Sequence, residues 1–327
     1  MKNMILILST SYDYDTQIVI DWLKSFNASF IRINDEDLLF GDTTVFFDVL
    51  NSNNSYFEID KKKVFFREIN TIWFRKFGFL NSYKKNYGSN SDTFKFLNRE
   101  LITFREVLCK EFKNRFWLYN KNIDLNKIEV LKTAKICGLK IPSTVLTNSK
   151  TAIIKNDSLK NKSFITKAIG ETANISSGKY GGVMYTKKVD FTKIEEKFAI
   201  SLLQSEIEKR YEIRTFFIDD RFFSMAVFSQ KNEKTSQDFR NYDQDSPNRT
   251  VPYSLPHKIV SKLLKLTRKL SLNTGSIDLI RSIDGEYYFL EVNPSGQFGM
   301  TSLPCNYNLH KEVAMFLIEK NEENKTN

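Results

Sequence analysis

The chain opens on a solid apolar run, Met4–Leu8, then spaces its apolar residues helically over Asp15–Phe26 and returns to an apolar run at Ser29–Arg32. Short apolar or alternating runs make strands and a 3.6-residue period makes helices, so the first third predicts a βαβ unit. Short β-like runs follow at Thr44–Val49, Tyr56–Ile59 and Val64–Phe66, then a strand at Ile69–Phe77. After a polar loop, Asn81–Asp92, a helix is expected from Ser91 to Arg115. There Phe94, Leu97, Leu101, Phe104 and Leu108 fall on one face and read as core. Asn120-Lys121-Asn122 reads as a linker. A helix over Lys127–Cys137 stops at Gly138, a natural left-handed cap, and Pro142 bars its continuation. Strands are expected at Ser163–Ile169, at Ala199–Gln204, and in a hairpin of Glu212–Ile218 with Arg221–Phe228. The polar segment Gln230–Arg249 reads as loop or lid. A helix over Lys258–Leu272, a last hairpin and a closing helix near Asn306–Lys320 complete the chain. The fold class is α/β (α+β), divided at 1–119, 120–203 and 204–320, with 321–327 a frayed tail.

Composition narrows the function. The 327 residues are 41% hydrophobic and 27% charged, the balance of a soluble globular protein. No apolar stretch approaches the roughly 18 residues that span a bilayer, and Met4–Leu8 is too short for a signal peptide. The turn Ser9-Thr10-Ser11-Tyr12-Asp13 carries no glycine fingerprint, which excludes a Rossmann dinucleotide site after the first strand. Three cysteines (Cys109, Cys137, Cys305) and two histidines (His257, His310) leave no disulfide framework, zinc pattern or Ser-His-Asp triad. A cytoplasmic location is the default. A net charge of +10 attracts polyanions or simply solvates the surface, and both readings stand on charge alone. Basic residues are scattered, with no arm or tail for DNA and no membrane anchor. Arg75-Lys76-Phe77-Gly78-Phe79 echoes an RNA-recognition strand but lacks the rest of that signature, so an ordinary strand is expected and no nucleic-acid partner.

The sharpest feature is the last hairpin, Ser276–Ile283, then Asp284-Gly285, then Glu286–Asn293. Asp-Gly between two β-prone runs predicts a two-residue turn. Ile283 then pairs with Glu286, Asp278 lies opposite Glu291, and Asn293 falls on the same face. Ile277, Leu279, Tyr288, Leu290 and Val292 form the other, apolar face. Like charges directly opposed destabilise a sheet by about 0.2–1 kcal/mol, so a cation is expected to offset them. Two carboxylates and an amide oxygen suit Mg²⁺, which takes the rest of its shell from water and phosphates. The alternative is a solvated edge with both acids in water. Lys127 at a helix start, Lys167 on a strand, and a loop with Gly170, Gly178, Gly181 and Gly182 favour a phosphate-binding site, although no P-loop is present.

These residues resemble the ATP-grasp superfamily: RimK-like ligases, and more closely the graspetide (microviridin-type) peptide maturases, above all the grasp-with-spasm group. That group shares the Leu-Glu-Val-Asn-Pro-x-Gly-Gln-Phe ending found here at Leu290–Phe298. The resemblance implies an ATP-grasp fold behind an N-terminal pre-ATP-grasp βαβ domain, with Ile72-Trp73-Phe74-Arg75 as a recurring strand. It implies ATP and Mg²⁺ as cofactors, with Lys127 and Lys167 on the phosphates and Gln204, Glu206 and Ile207 in the hinge that reads adenine. It assigns Asp278, Glu291 and Asn293 to the metal, Arg214 to the phosphoryl-transfer centre, and Lys209 and Arg240 to a substrate carboxylate.

The implied reaction passes a carboxyl group through an acyl phosphate, after which a nucleophile displaces phosphate. Three readings follow. The first is a macrocyclase joining Asp or Glu side chains of a ribosomally made precursor to Thr or Ser (ester) or Lys (amide). The second is a RimK-like amino-acid or peptide ligase, and the third a non-catalytic basic peptide- or RNA-binding protein on the same fold. The facing acids favour an enzyme and the Gly-Gln-Phe ending a maturase. An acidic precursor peptide with a leader segment is the expected partner, and a homodimer the expected assembly.

Overall fold

The computed structural model describes residues 3–41, 43–78, 91–119, 125–170, 174–177, 180–183, 186–230, 245 and 247–323. The expected loop 81–90, linker 120–122, Gly178, most of the segment 230–249 and Arg240 lie outside them. The chain folds as two compact units. Unit 1 holds residues 1–124, 273–275 and 294–327; unit 2 holds 125–272 and 276–293.

Unit 1 begins with β1 (Met4–Ser9), α1 (Tyr14–Ser25) and β2 (Phe30–Asn34), the expected βαβ, followed by α2 (Asp35–Phe40). A three-stranded antiparallel sheet follows, from β3 (Thr43–Phe46), β4 (Tyr56–Ile59) and β5 (Lys62–Phe65). The unit continues with β6 (Ile69–Phe74), α3 (Asp92–Glu111) and β7 (Phe116–Leu118). The main sheet is parallel, in the order β2-β1-β6-β7. Ile5, Leu6, Ile7 and Leu8 are fully buried, as a parallel strand covered on both faces requires. Ser91 caps α3 by accepting from the Phe94 N–H at 3.2 Å, and Phe94, Leu101 and Leu108 bury the face expected of them. The strand expected to reach Phe77 ends at Phe74, and Arg75 and Phe77 just beyond it are buried.

Unit 2 opens with α4 (Lys127–Ile136), β8 (Thr144–Ser149), α5 (Lys150–Ile154) and β9 (Phe164–Lys167). The hairpin of β10 (Asn174–Ser177) and β11 (Tyr180–Val183) follows, then β12 (Lys187–Lys188) and β13 (Lys197–Ser205). A four-stranded sheet, β12-β9-β13-β8, packs over Ile153, Leu159, Phe164 and Leu203. Three residues, 206–208, then lead into β14 (Lys209–Ile218), β15 (Arg221–Phe228), β16 (Arg249–Tyr253), α6 (His257–Lys269), β17 (Thr274–Ser282) and β18 (Tyr287–Asn293). The second sheet has the order β16-β15-β14-β17-β18.

From Pro294 the chain is back in unit 1, with α7 (Gly299–Cys305) and α8 (Leu309–Glu323). This differs from the three-part division expected from sequence. The reason is packing: α8 buries Val313, Ala314, Phe316 and Leu317, and its neighbours are α1, β1, β6 and β7. The helix also runs past the expected frayed end, because Asn321 donates to the Asn3 carbonyl at 3.1 Å. All three cysteines are free. No helix among the described residues is long and apolar enough to cross a membrane.

Candidate active site

The last hairpin pairs Asp278 with Glu291 and Ser276 with Asn293, the expected register at these positions. It arrives there by a different route. Ser282, not Ile283, closes the loop against Glu286 (N to O 2.9 Å), and Gly285 sits at φ +86°. The turn therefore holds three residues, 283–285, which alone would slip the register by one. A bulge at Leu290 restores it: Leu279 pairs with Phe289 and Asp278 with Glu291. Beyond the bulge, Phe289, fully buried, takes the core position expected for Tyr288.

Neither acid is a solvated edge. Asp278 is 6% exposed and receives Arg214 Nη1 on both carboxylate oxygens at 2.8 Å. Arg214 comes from the neighbouring β14, and its buried Nε has no hydrogen-bond partner. Glu291 has Lys167, the last residue of β9, at 3.9 Å. The cations that offset facing carboxylates thus come from strands of both sheets of unit 2.

A cleft open to solvent lies among these groups. Ile165, Ile207, Ile213 and Leu290 are among its apolar lining, and Lys167, Gln204, Glu212, Asp278 and Glu291 among its polar lining. Gln204 is 1% exposed; its amide nitrogen donates to Thr144 Oγ1 at 3.0 Å, which leaves the buried Oε1 without a partner. The hinge residues divide their work. The Ser205 N–H goes to the Ser143 carbonyl and the Glu206 N–H to the Ser163 carbonyl, both at 2.8 Å. The Ser205 hydroxyl accepts from the Ser143 N–H at 3.0 Å, so that side chain is spent on joining strands. Glu206 pairs with Lys188 at 2.7 Å.

Lys127 does not line the cleft. Its ammonium reaches the carbonyls of Ala168 (3.0 Å) and Gly170 (2.6 Å), in the turn just after Lys167. Lys209 is ion-paired with Glu212. Glu212, 6% exposed and also bonded by Ser229, is a third acid at the cleft that the sequence reading did not single out. Its signal was the period of two with Arg214, which puts both side chains on one face of β14.

The donor set fits the group that the fold implies. Asp278, Glu291 and the exposed Asn293 offer hard oxygens on one hairpin, the chemistry of Mg²⁺. The apolar walls, the unpartnered Gln204 oxygen and the nearby lysines fit a nucleotide.

No protein-family model matches the sequence, and no curated protein matches it. Solved structures do. The macrocyclase MdnC from Microcystis aeruginosa MRC, bound with precursor peptide MdnA, superposes with a TM-score of 0.79 at 23% identity, over 96% of this chain and 99% of that one. The Chryseobacterium gregarium RiPP-associated ATP-grasp ligase, in complex with ADP and a leader and core peptide, gives 0.80 at 24% identity over 97% of each. The ATP-grasp ligase PsnB, complexed with minimal precursor, Mg and ADP, gives 0.77 at 15% identity over 98% and 99%. The chain has the ATP-grasp fold of these ligases along nearly its whole length.

Proposed function

We propose that the chain is an ATP-dependent carboxylate ligase that macrocyclises a ribosomally made, acidic precursor peptide carrying a leader segment. The observation that carries the reading is the cleft itself, where facing Asp278 and Glu291 are offset by Arg214 and Lys167, in a fold shared end to end with peptide-bound ligases. Bound ATP with Mg²⁺ would supply the phosphoryl group that turns a poor leaving group into a good one.

The chain's own residues would do the rest. Asp278, Glu291 and Asn293 hold the metal. Lys167 at the cleft and Lys127 beside the turn after it add fixed positive charge toward phosphates. The Gln204 oxygen and the hinge at Glu206 and Ile207 meet the base. Arg214 lies buried on the reactive side of β14, where its fork suits a planar oxyanion. Lys209 and Arg240 are assigned to the substrate carboxylate, and the surface charge of +10 suits an acidic peptide. Ester links to Thr or Ser are the favoured product over amide links to Lys, in a cytoplasmic and homodimeric enzyme with no nucleic-acid or membrane partner.

Hydroxylamine trapping tests the activation step. With peptide, ATP and Mg²⁺, the reading expects a hydroxamate on peptide carboxyl groups in step with ADP release. ADP release without hydroxamate or ring formation would reject it.

A further inference from the structure

The amide of Gln204 has two ends of nearly equal shape, so its hydrogen-bond partners decide which end is offered to a ligand. Gln204 on β13 lies directly opposite Thr144 on β8. Two bonds beside it fix that stretch of the strand pair. The Ser205 N–H reaches the Ser143 carbonyl at 2.8 Å, and the Ser143 N–H reaches the Ser205 hydroxyl at 3.0 Å. Pro142, Gln204, Ser205 and Ile207 all line the cleft, so this crossing of β8 and β13 is one of its walls. Every residue of the arrangement belongs to unit 2.

A threonine hydroxyl carries one proton. Thr144 Oγ1 gives it to the Pro142 carbonyl at 2.9 Å. Toward Gln204, 3.0 Å away, only lone pairs remain, so the end that Thr144 meets must be the amide NH₂. The Oε1 end is thereby held on the other side of the amide, where it is buried and no described group donates to it. The reverse orientation would take the proton from the Pro142 carbonyl and leave buried N–H donors unmet. An unmet buried acceptor is costly, and a ligand that brings a donor removes that cost. Purines differ in what they bring. Adenine carries an amino group at position 6, whereas guanine and hypoxanthine carry an accepting oxygen there.

We infer that Thr144 is a positioning residue that sets base specificity: by giving its proton to Pro142 it fixes the Gln204 amide as an acceptor, which selects a 6-amino purine over a 6-oxo purine. The inference rests on the reading that Gln204 meets the base of the nucleotide. Calorimetric titration of the full chain with ADP and with inosine diphosphate, both with Mg²⁺, tests it without turnover. The wild type should bind ADP about tenfold tighter or more, the scale of one mismatched buried hydrogen bond. Thr144→Val keeps the shape but frees the amide to turn its NH₂ toward the 6-oxo group. Inosine diphosphate should then gain most of that factor, with ADP bound much as before. Thr144→Ser keeps the hydroxyl and should keep the preference. Inosine also differs from adenosine at N1, but that difference is common to every variant and drops out of the change in preference. Gln204→Met, which has neither amide end, should narrow the preference by weakening ADP, and Thr144→Val added to it should change nothing further. Should Thr144→Val fail to fold, Thr144→Ala carries the same expectation. No preference in the wild type, a wild-type preference in Thr144→Val, an equal loss for both nucleotides, or a further change in the double variant would overturn the inference. If the wild type binds neither nucleotide, the nucleotide reading of the cleft itself fails and takes the inference with it.

Discussion

Asp278 and Glu291 face each other, but their partners bind them unequally. Arg214 holds Asp278 at 2.8 Å in a buried pair, whereas Lys167 stands 3.9 Å from a partly exposed Glu291. Stranding a buried charge costs about 3–5 kcal/mol, so Arg214→Met should lower the melting temperature markedly. Lys167→Met breaks a looser pair worth at most about 1 kcal/mol, and should chiefly weaken ATP binding. Asp278→Asn keeps an oxygen acceptor for Arg214 but removes its counter-charge, so turnover should vanish and the melting temperature should fall as well. Thermal unfolding beside nucleotide titration separates the three cases. Acid should weaken unit 1. Burial would raise the Asp13 pKa, but Arg75, Thr16 and Lys76 outweigh it and hold it at about 2. Glu36 is likewise held at about 2, by bonds that include the Ser11 N–H. Carboxyls depressed in the folded state stabilise it above their unfolded pKa of about 4 and lose that as pH falls toward 2, about 2 kcal/mol for Asp13. Asp13→Asn should flatten the stability-versus-pH curve in that window. The charged candidates were legible because few residue types do their chemistry. Glu212 carried only its spacing of two from Arg214, and a Glu opening a strand otherwise reads as surface.

The hairpin is the element on which the site depends. Its register was legible in the Asp-Gly signal and the period of two, yet the turn is one residue longer than that signal implies. The Ser282 hydroxyl accepts from the Glu286 N–H at 3.0 Å, and this local bond favours the wider loop. The bulge at Leu290 then corrects the slip, and nothing in a strand's alternation announces a bulge. Inserting a second residue beside Leu290, beyond the one that the bulge absorbs, should put Glu291 out of register with Asp278. The expected outcome is a folded protein by circular dichroism that no longer binds ADP in a Mg²⁺-dependent way. Gly285→Ala, at φ +86°, should cost about 1–2 kcal/mol with the site intact, read as a drop in melting temperature without loss of ADP affinity.

At the scale of the whole molecule, the first βαβ unit and the two strand-rich stretches of unit 2 followed from local pattern. The return of residues 294–323 to unit 1 did not. It depends on α8 covering α1 and β6, and on Arg75 meeting carbonyls some 220 residues later in sequence. Such pairings carry no periodic trace in a single chain. The Gly-Gln-Phe ending was legible only as a resemblance, and its buried contacts with Asp15, Arg75 and His310 now give it a physical basis. The most direct test of the central claim is the mass of a precursor peptide after incubation with this protein, ATP and Mg²⁺. Ring formation predicts the loss of one water per link, with one ADP released for each, and links that open in mild base if they are esters. A gain of amino-acid mass, or peptide binding with no change in mass, would contradict it.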